Sequence, residues 1–261
     1  MKKLVVISAS RRTDLVGCFP DACIERLQKY PLEQVHSLVL WTKNPLPLIH
    51  NKHLRNQISP YRQIVIHLTV TGMGGSIFEP HIPTSGQILK ELPDIIQFAG
   101  SPERLVWRFD PIMHLKKGSQ KYSNISFFPF LAEEFSKHHI STIKISWLSL
   151  YKKVIRNINK IGWEPADISL ETKKKQARKL ECIAQKNNQK IEYCCIDGFP
   201  VSQCIDGALL NALHPDKLVC STKRARGQRA LCGCTESIDI GWYNQACPHG
   251  CIYCYANPKI D

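Results

Sequence analysis

The sequence predicts an α/β fold, a parallel sheet with helices outside it, closed or partly closed into a barrel. Three observations carry this. Short β-branched and aliphatic runs alternate with stretches of helical period, the pattern of repeated strand–helix units. Each run ends in polar or cationic residues, as expected of strands that share one mouth. No linker or low-complexity segment divides the 261 residues, so one domain over 1–261 is expected, with 195–261 as its cysteine-rich region. A doubly wound open sheet would show nearly the same alternation, and fold alone names no function.

The first run, 4–7, is short and β-branched as a buried parallel strand should be, and it leads into Ser8-Ala9-Ser10-Arg11-Arg12-Thr13-Asp14. Pro20 suits the first turn of a helix carrying Ala22, Ile24 and Leu27. A second strand, 37–41, ends in Thr42-Lys43-Asn44-Pro45, and a third, 64–70, in Thr71-Gly72-Met73-Gly74-Gly75. That glycine run reads as a turn, because no strong helix start follows it to make a phosphate cradle. Thr84 or Ser85 can cap a helix carrying Ile88, Leu92 and Ile95, which Pro93 should kink or restart. A fourth strand, 104–109, ends at Asp110, a phenylalanine-rich helix covers 126–137, and a fifth strand covers 142–147. Trp107, Phe109 and Trp147 read as core packing. Residues 157–167 read as an irregular surface loop. Ser169 opens a helix with Ala177, Leu180, Ile183 and Ala184 on one face, followed by a sixth strand, 190–194, a short helix near 208–213 and one more strand, 237–241.

With 43% hydrophobic residues the chain can bury a core without metal. Arg11 and Arg12 interrupt the N-terminal apolar run too early for export or for crossing a bilayer, so a cytoplasmic protein with reduced cysteines and no membrane partner is expected. The net charge of +13 favours polyanions, and nucleic acid is a candidate partner. Lys173, Lys174, Lys175, Arg178 and Lys179 read as a solvated helix face. The run from Lys223 to Arg229, which contains the flexible Gly227, is more suggestive of a ligand.

The chemistry concentrates in Cys247-Pro248-His249-Gly250-Cys251-Ile252-Tyr253-Cys254. Three thiolates on one short loop can hold three irons of a cubane. Iron–sulfur clusters normally take four, so the trio implies a distant fourth cysteine or an iron kept for a non-protein ligand. Two alternatives stand beside this. Cys232 and Cys234 with Cys251 and Cys254 also fit a zinc ribbon, which leaves Cys247 unused. A disulfide framework suits small secreted domains rather than this chain.

The stretch from Ile240 to Asn257, with Tyr253 just before the last cysteine, resembles the cluster loop of the radical S-adenosylmethionine (SAM) enzymes, especially the spore photoproduct lyase branch. Ser10-Arg11-Arg12-Thr13-Asp14, Trp41-Thr42-Lys43-Asn44-Pro45, Leu68-Thr69-Val70-Thr71 with Glu79-Pro80, and Trp107-Arg108-Phe109-Asp110-Pro111-Ile112 resemble the remaining pieces of that branch, started one unit late. The resemblance implies a partial TIM-like (β/α)6 parallel barrel, circularly permuted, with a C-terminal Fe–S loop. A barrel tolerates such permutation because its termini lie close together. It also implies a [4Fe-4S] cluster on Cys247, Cys251 and Cys254. An electron donor such as flavodoxin or ferredoxin would then drive SAM cleavage to a 5'-deoxyadenosyl radical. Tyr253 would pack near the adenine, with Asn257 also on the cofactor side. The Gly-Gly-Glu-like run of that superfamily is replaced here by Ser8 to Asp14. By position, Ser10, Thr13 and Asp14 would accept from the SAM ammonium, and Arg11, Arg12 or Lys43 would hold its carboxylate or an anionic substrate. Arg108, Asp110, Lys144 and Ser146, at strand ends, are the candidates for substrate contact. The whole chain also resembles an uncharacterised bacterial family known only as a domain of unknown function.

The remaining cysteines divide. Cys18, Cys23 and Cys182 lie in helical contexts and read as small buried hydrophobes. Cys195, Cys204, Cys232 and Cys234 flank loops near the expected mouth and would suffice for a second [4Fe-4S] cluster, with Cys194 and Cys220 as substitutes. The alternative is that Cys232 and Cys234 pack against the first cluster or bind zinc.

Overall fold

A computed structural model describes residues 4–260. Its centre is a parallel sheet of β1 (Val5–Ala9), β2 (Val35–Thr42), β3 (Ile64–Thr69), β4 (Leu105–Ile112), β7 (Thr142–Trp147), β9 (Lys190–Tyr193) and β10 (Ile238–Asp239). The order across the sheet is β10-β1-β2-β3-β4-β7-β9. From β1 to β9 the strands follow one another across the sheet in chain order, with no reversal of the kind a doubly wound sheet has, and β10 lies at the opposite edge beside β1. Among the described residues β9 and β10 remain the two edges, so the sheet is not a closed barrel. The last strand, two residues long, pairs with β1 through Ile7–Ile238 and Ser8–Asp239 and offers little backbone for a further partner.

The pleat sorts side chains onto two faces. Row by row, Leu68, Trp107 and Ile143 share one face, as do Phe109, Ile145 and Tyr193. Against this apolar face pack α1 (Leu15–Cys18), α2 (Pro20–Leu27), α3 (Leu46–His50), α4 (Lys52–Ile58), α5 (Ser85–Lys90), α6 (Leu92–Ala99), α7 (Phe128–Lys137) and α9 (Leu170–Lys186), whose buried residues join the same core. Trp107 is fully buried there, its ring 4.7 Å from Phe135 and its indole N–H donating to the Val70 carbonyl at 3.0 Å. The opposite face is different in kind. Its rows run Trp41–His67–Val106 and Thr69–Arg108–Lys144–Glu192, and it is covered by the segment that carries α10 (Gly207–Leu213) and Cys232 and Cys234. Both faces of the sheet are therefore buried, which is why the strands read as nearly continuous apolar runs.

Local signals explain the helix boundaries. Pro20 opens α2, and a reciprocal pair between Thr84 and Gln87 caps α5. The Pro93 break appears as a restart, with α5 ending at Lys90 and α6 beginning at Leu92. The Ser169 hydroxyl accepts the Thr172 N–H at 3.2 Å to start α9. Two expectations need correction. Residues 157–167 are not an irregular loop: α8 (Lys152–Lys160) occupies their first part, burying Val154, Asn157 and Ile158, and β8 (Glu164–Pro165) follows. Val154, Ile155 and Ile158 supply the helical spacing, which the polar residues between them conceal. β8 joins β5 (His114–Lys117) and β6 (Gln120–Ser123) in a small antiparallel sheet that the sequence reading did not anticipate. No helix among the described residues is long and apolar enough to cross a membrane.

Candidate metal centre

The cysteine loop lies over the C-terminal ends of β1, β2 and β3. Its base is closed by the Cys247 N–H donating to the Asn257 carbonyl at 2.7 Å and the Lys259 N–H donating to the Cys247 carbonyl at 2.8 Å. Gly250, at φ +64°, makes the bend between the first two cysteines, a conformation that side chains disfavour. Three contacts fasten the loop to the sheet: His249 to Asp14 at 2.8 Å, the Tyr253 hydroxyl to Glu79, and the Ile252 N–H to the Phe78 carbonyl at 3.2 Å.

Asp14 is the hub of this attachment. One of its oxygens accepts the Gly17 N–H at 2.7 Å, which caps α1; the other accepts the Thr42 hydroxyl at 3.0 Å, the Lys43 N–H at 2.8 Å and His249. Burial alone would raise the Asp14 pKa, but His249 and these N–H donors outweigh it and hold the carboxyl below its usual range. The same pair raises His249 despite its burial. Both Asp14 oxygens are engaged by protein donors, which tie the loop to the strand ends.

Lys43 and Glu79 form the second buried pair, 2.8 Å apart, with the Lys43 ammonium 5.4 Å from the centre of the Tyr253 ring. Burial favours the neutral amine, yet Glu79 and the nearby Cys251 outweigh it, so Lys43 stays charged beside the cysteines. Burial pushes the Cys251 and Cys254 thiols up, opposed in both by Lys43. Cys247 is drawn down to about 7, chiefly by a hydrogen bond from Cys18, against burial and with help from His249. The site therefore supplies cations to balance thiolates.

Cys18 was expected as a buried hydrophobe, but it is only partly buried and its sulfur stands 4.0 Å from that of Cys247. Cys18, Cys247 and His249 are the one set of three such ligands among the described residues whose donor atoms all lie within 4.8 Å of one another. Nothing in the sequence marks Cys18 for this, 229 residues away from its neighbour. Cys23 is buried as expected, whereas Cys182 is exposed, and all twelve cysteines are free thiols.

The other expected residues fall into two groups. Around the β1–β10 junction, Ser10 donates to Asp239 at 2.9 Å, Arg11 reaches Asp239 at 3.5 Å, and Thr13 donates to the Trp242 carbonyl. Arg12 lies over the Tyr243 ring at 5.0 Å. Asn257 accepts from Lys153 at 3.4 Å. Beside the loop, Tyr151, Tyr243, Tyr255 and Ala256 line an open cavity of about 440 Å³. The second group is deeper. Arg108 pairs with Asp110, which also accepts the Ser146 hydroxyl, and Lys144 pairs with Glu192. Arg108 and Lys144 are 7% and 3% exposed, covered by the cysteine-bearing segment rather than open at a mouth. Arg108 also donates to the Cys204 sulfur at 3.2 Å and lies 5.1 Å from the centre of the Trp41 ring. Stacked 4.1 Å from Trp41 is His67, whose pKa burial pulls down to about 3. Arg224, in the basic run, is turned inward: its guanidinium donates to the carbonyls of Cys232, Arg229 and Ala230.

Glu79 and His249 are the residues whose contacts at the loop carry no signal in the sequence. Glu79 lies beside Pro80 and His249 inside the cysteine loop, and only the fold supplies their partners.

No curated protein matches the chain. The family described as Domain of unknown function (DUF1848) matches residues 24–256, nearly the whole sheet together with the cysteine loop, and the chain belongs to that family.

Proposed function

We propose that the protein is a radical SAM-type enzyme whose Cys247, Cys251 and Cys254 hold a [4Fe-4S] cluster with one iron open to SAM. The observation that carries this reading is the fastening of a three-cysteine loop over the ends of β1, β2 and β3, beside the positive charges of Lys43 and His249. The strand order, which never reverses, supports taking the sheet as a partial, circularly permuted TIM-like barrel in which β10 stands for the usual first strand. A cluster held by Cys247, Cys251 and Cys254 would supply the electron, drawn from a donor such as flavodoxin or ferredoxin, for reductive cleavage of SAM to methionine and a 5'-deoxyadenosyl radical. The protein's own part is placement and exclusion. Asp14 and Glu79 hold the loop rigid, Lys43 offsets thiolate charge, and the tyrosine-lined cavity beside Cys254 gives an aromatic-walled approach for a planar substrate or the adenine. Twelve free thiols fit a reducing compartment such as the cytoplasm.

A second reading is a basic, non-catalytic iron–sulfur or zinc protein that binds nucleic acid. The closeness of Cys18, Cys247 and His249 favours it, as a mononuclear set. It leaves Cys251 and Cys254 without a role, and the Nε2 atom of His249 is already bound to Asp14. Anaerobic reconstitution separates the two. The first reading expects brown protein containing iron and sulfide that releases 5'-deoxyadenosine when reduced with SAM, and expects Cys251→Ala to abolish that release. Colourless protein holding one zinc would establish the second.

A further inference from the structure

A second group of sulfurs lies on the polar face of the sheet, apart from the Cys247 loop. The Cys204 and Cys194 sulfurs stand 3.7 Å apart, the Cys204 N–H points at the Cys234 sulfur at 3.2 Å, and Cys194 neighbours Cys195, Cys195 neighbours Cys232 and Cys232 neighbours Cys234. Five thiols thus close a ring drawn from three separate segments. Cys220, the other sequence candidate, is outside it, with its thiol directed at the Gly207 carbonyl at 3.8 Å.

The backbone is bent to make this ring. Consecutive residues of an extended chain point to opposite faces. Cys195 follows Cys194 in the left-handed region at φ 54°, which turns both side chains into one ring at a cost of about 1–2 kcal/mol for a residue with a Cβ. Gly233, between Cys232 and Cys234, lies so close to the facing segment that a Cβ would sit 2.9 Å from the Gln203 side chain and 3.1 Å from the Ser202 carbonyl. Only glycine lets the two cysteines approach Cys204. Donors are already aimed at the sulfurs: the Cys204 and Ile205 N–H groups point at Cys234 at 3.2 and 3.4 Å, and buried Arg108 donates to Cys204 at 3.2 Å.

Ring width decides the kind of metal. Four thiolates on one tetrahedral zinc, at about 2.3 Å each, stand about 3.8 Å from one another in every pairing. In the ring no three sulfurs all lie within 4.8 Å of each other, since the one such set among the described residues is Cys18, Cys247 and His249. The ring as a whole is too open for a single ion; in a cluster each sulfur binds a different iron, so of Cys194 and Cys204, only 3.7 Å apart, one is the surplus thiol of the five.

We propose that the ring of Cys194, Cys195, Cys204, Cys232 and Cys234 is a second metal centre, a four-thiolate iron–sulfur cluster that includes Cys204 and Cys234 as ligands and is independent of the Cys247 loop. The proposal does not rest on the SAM reading, and either can fail without the other. The test is the iron and sulfide content of the full chain after anaerobic reconstitution with iron and sulfide, in variants checked for folding by circular dichroism. The Cys247→Ala/Cys251→Ala/Cys254→Ala variant should hold about four irons per chain, whatever the loop itself binds. Cys204→Ser/Cys234→Ser in the otherwise intact chain should hold about four irons fewer than wild type, which covers the case that the loop variant does not fold. Four irons in wild type with none in the folded loop variant, a full complement in the Cys204→Ser/Cys234→Ser chain, or one zinc in place of iron at the ring would each overturn it.

Discussion

Asp14→Ala removes the carboxylate through which β1, β2, α1 and the cysteine loop meet, and the structure sets the size of the loss. The variant forfeits the cap of α1, about 1 kcal/mol. It leaves the His249 ring, 5% exposed, without its hydrogen-bond partner, a penalty of about 1–3 kcal/mol. The Lys43 N–H also loses its acceptor, a penalty of about 1–3 kcal/mol. These losses share one relaxation of the loop and do not add, so we expect about 4 kcal/mol, a large part of a typical total stability. Asp14→Asn keeps an acceptor for Gly17 and should lose about half as much. Urea unfolding of the reduced apoprotein at pH 7, followed by tryptophan fluorescence, measures this. Adding His249→Ala to Asp14→Ala should cost distinctly less than His249→Ala alone, because the contact is already lost. A loss under about 1 kcal/mol for Asp14→Ala, or no coupling between the two positions, would refute the hub argument.

Other outcomes follow from the core and from its histidines. Trp107→Ala, at a fully buried ring stacked on Phe128 and Phe135, should cost about 3–5 kcal/mol in the same unfolding assay, and Trp107→Phe distinctly less. His36, His114 and His214 have pKa values pulled below the ordinary histidine value, first by burial in each case. Below about pH 6.5 the unfolded chain takes up protons that these three rings refuse, so they lower stability as pH falls, partly offset by His249, whose raised value makes it lose stability as pH rises. A urea midpoint series from pH 8 to pH 5 reads this directly, and His36→Gln should flatten part of the slope. A His36→Gln variant with the same pH slope as wild type would contradict the assignment of that ring as neutral.

Much of the fold was legible because local chemistry and tertiary packing agree along it. The strands stand out as apolar runs because both faces of the sheet are covered, and Pro20, Thr84, Pro93 and Ser169 mark helix boundaries by steric and hydrogen-bonding rules that operate within one turn. Where polar residues interrupt the pattern, as in 157–167, the reading lost a helix that buries only Val154, Asn157 and Ile158. The small sheet of β5, β6 and β8 was missed because its strands are at most four residues long and bury only Leu115, so alternation had little length in which to appear.

The sequence by itself determined the parallel α/β architecture and the two groups of cysteines, since spacing along the chain and hydrophobic period are local quantities. Only the tertiary structure decided that Asp14 meets His249, that Cys18 stands beside Cys247, and that Arg108 lies beneath Cys204. These partners are 235, 229 and 96 residues apart. Nothing in a one-dimensional pattern links such positions; the register of β1 against β2 and β10, and the folding of the cysteine-bearing segment onto the polar face, bring them together.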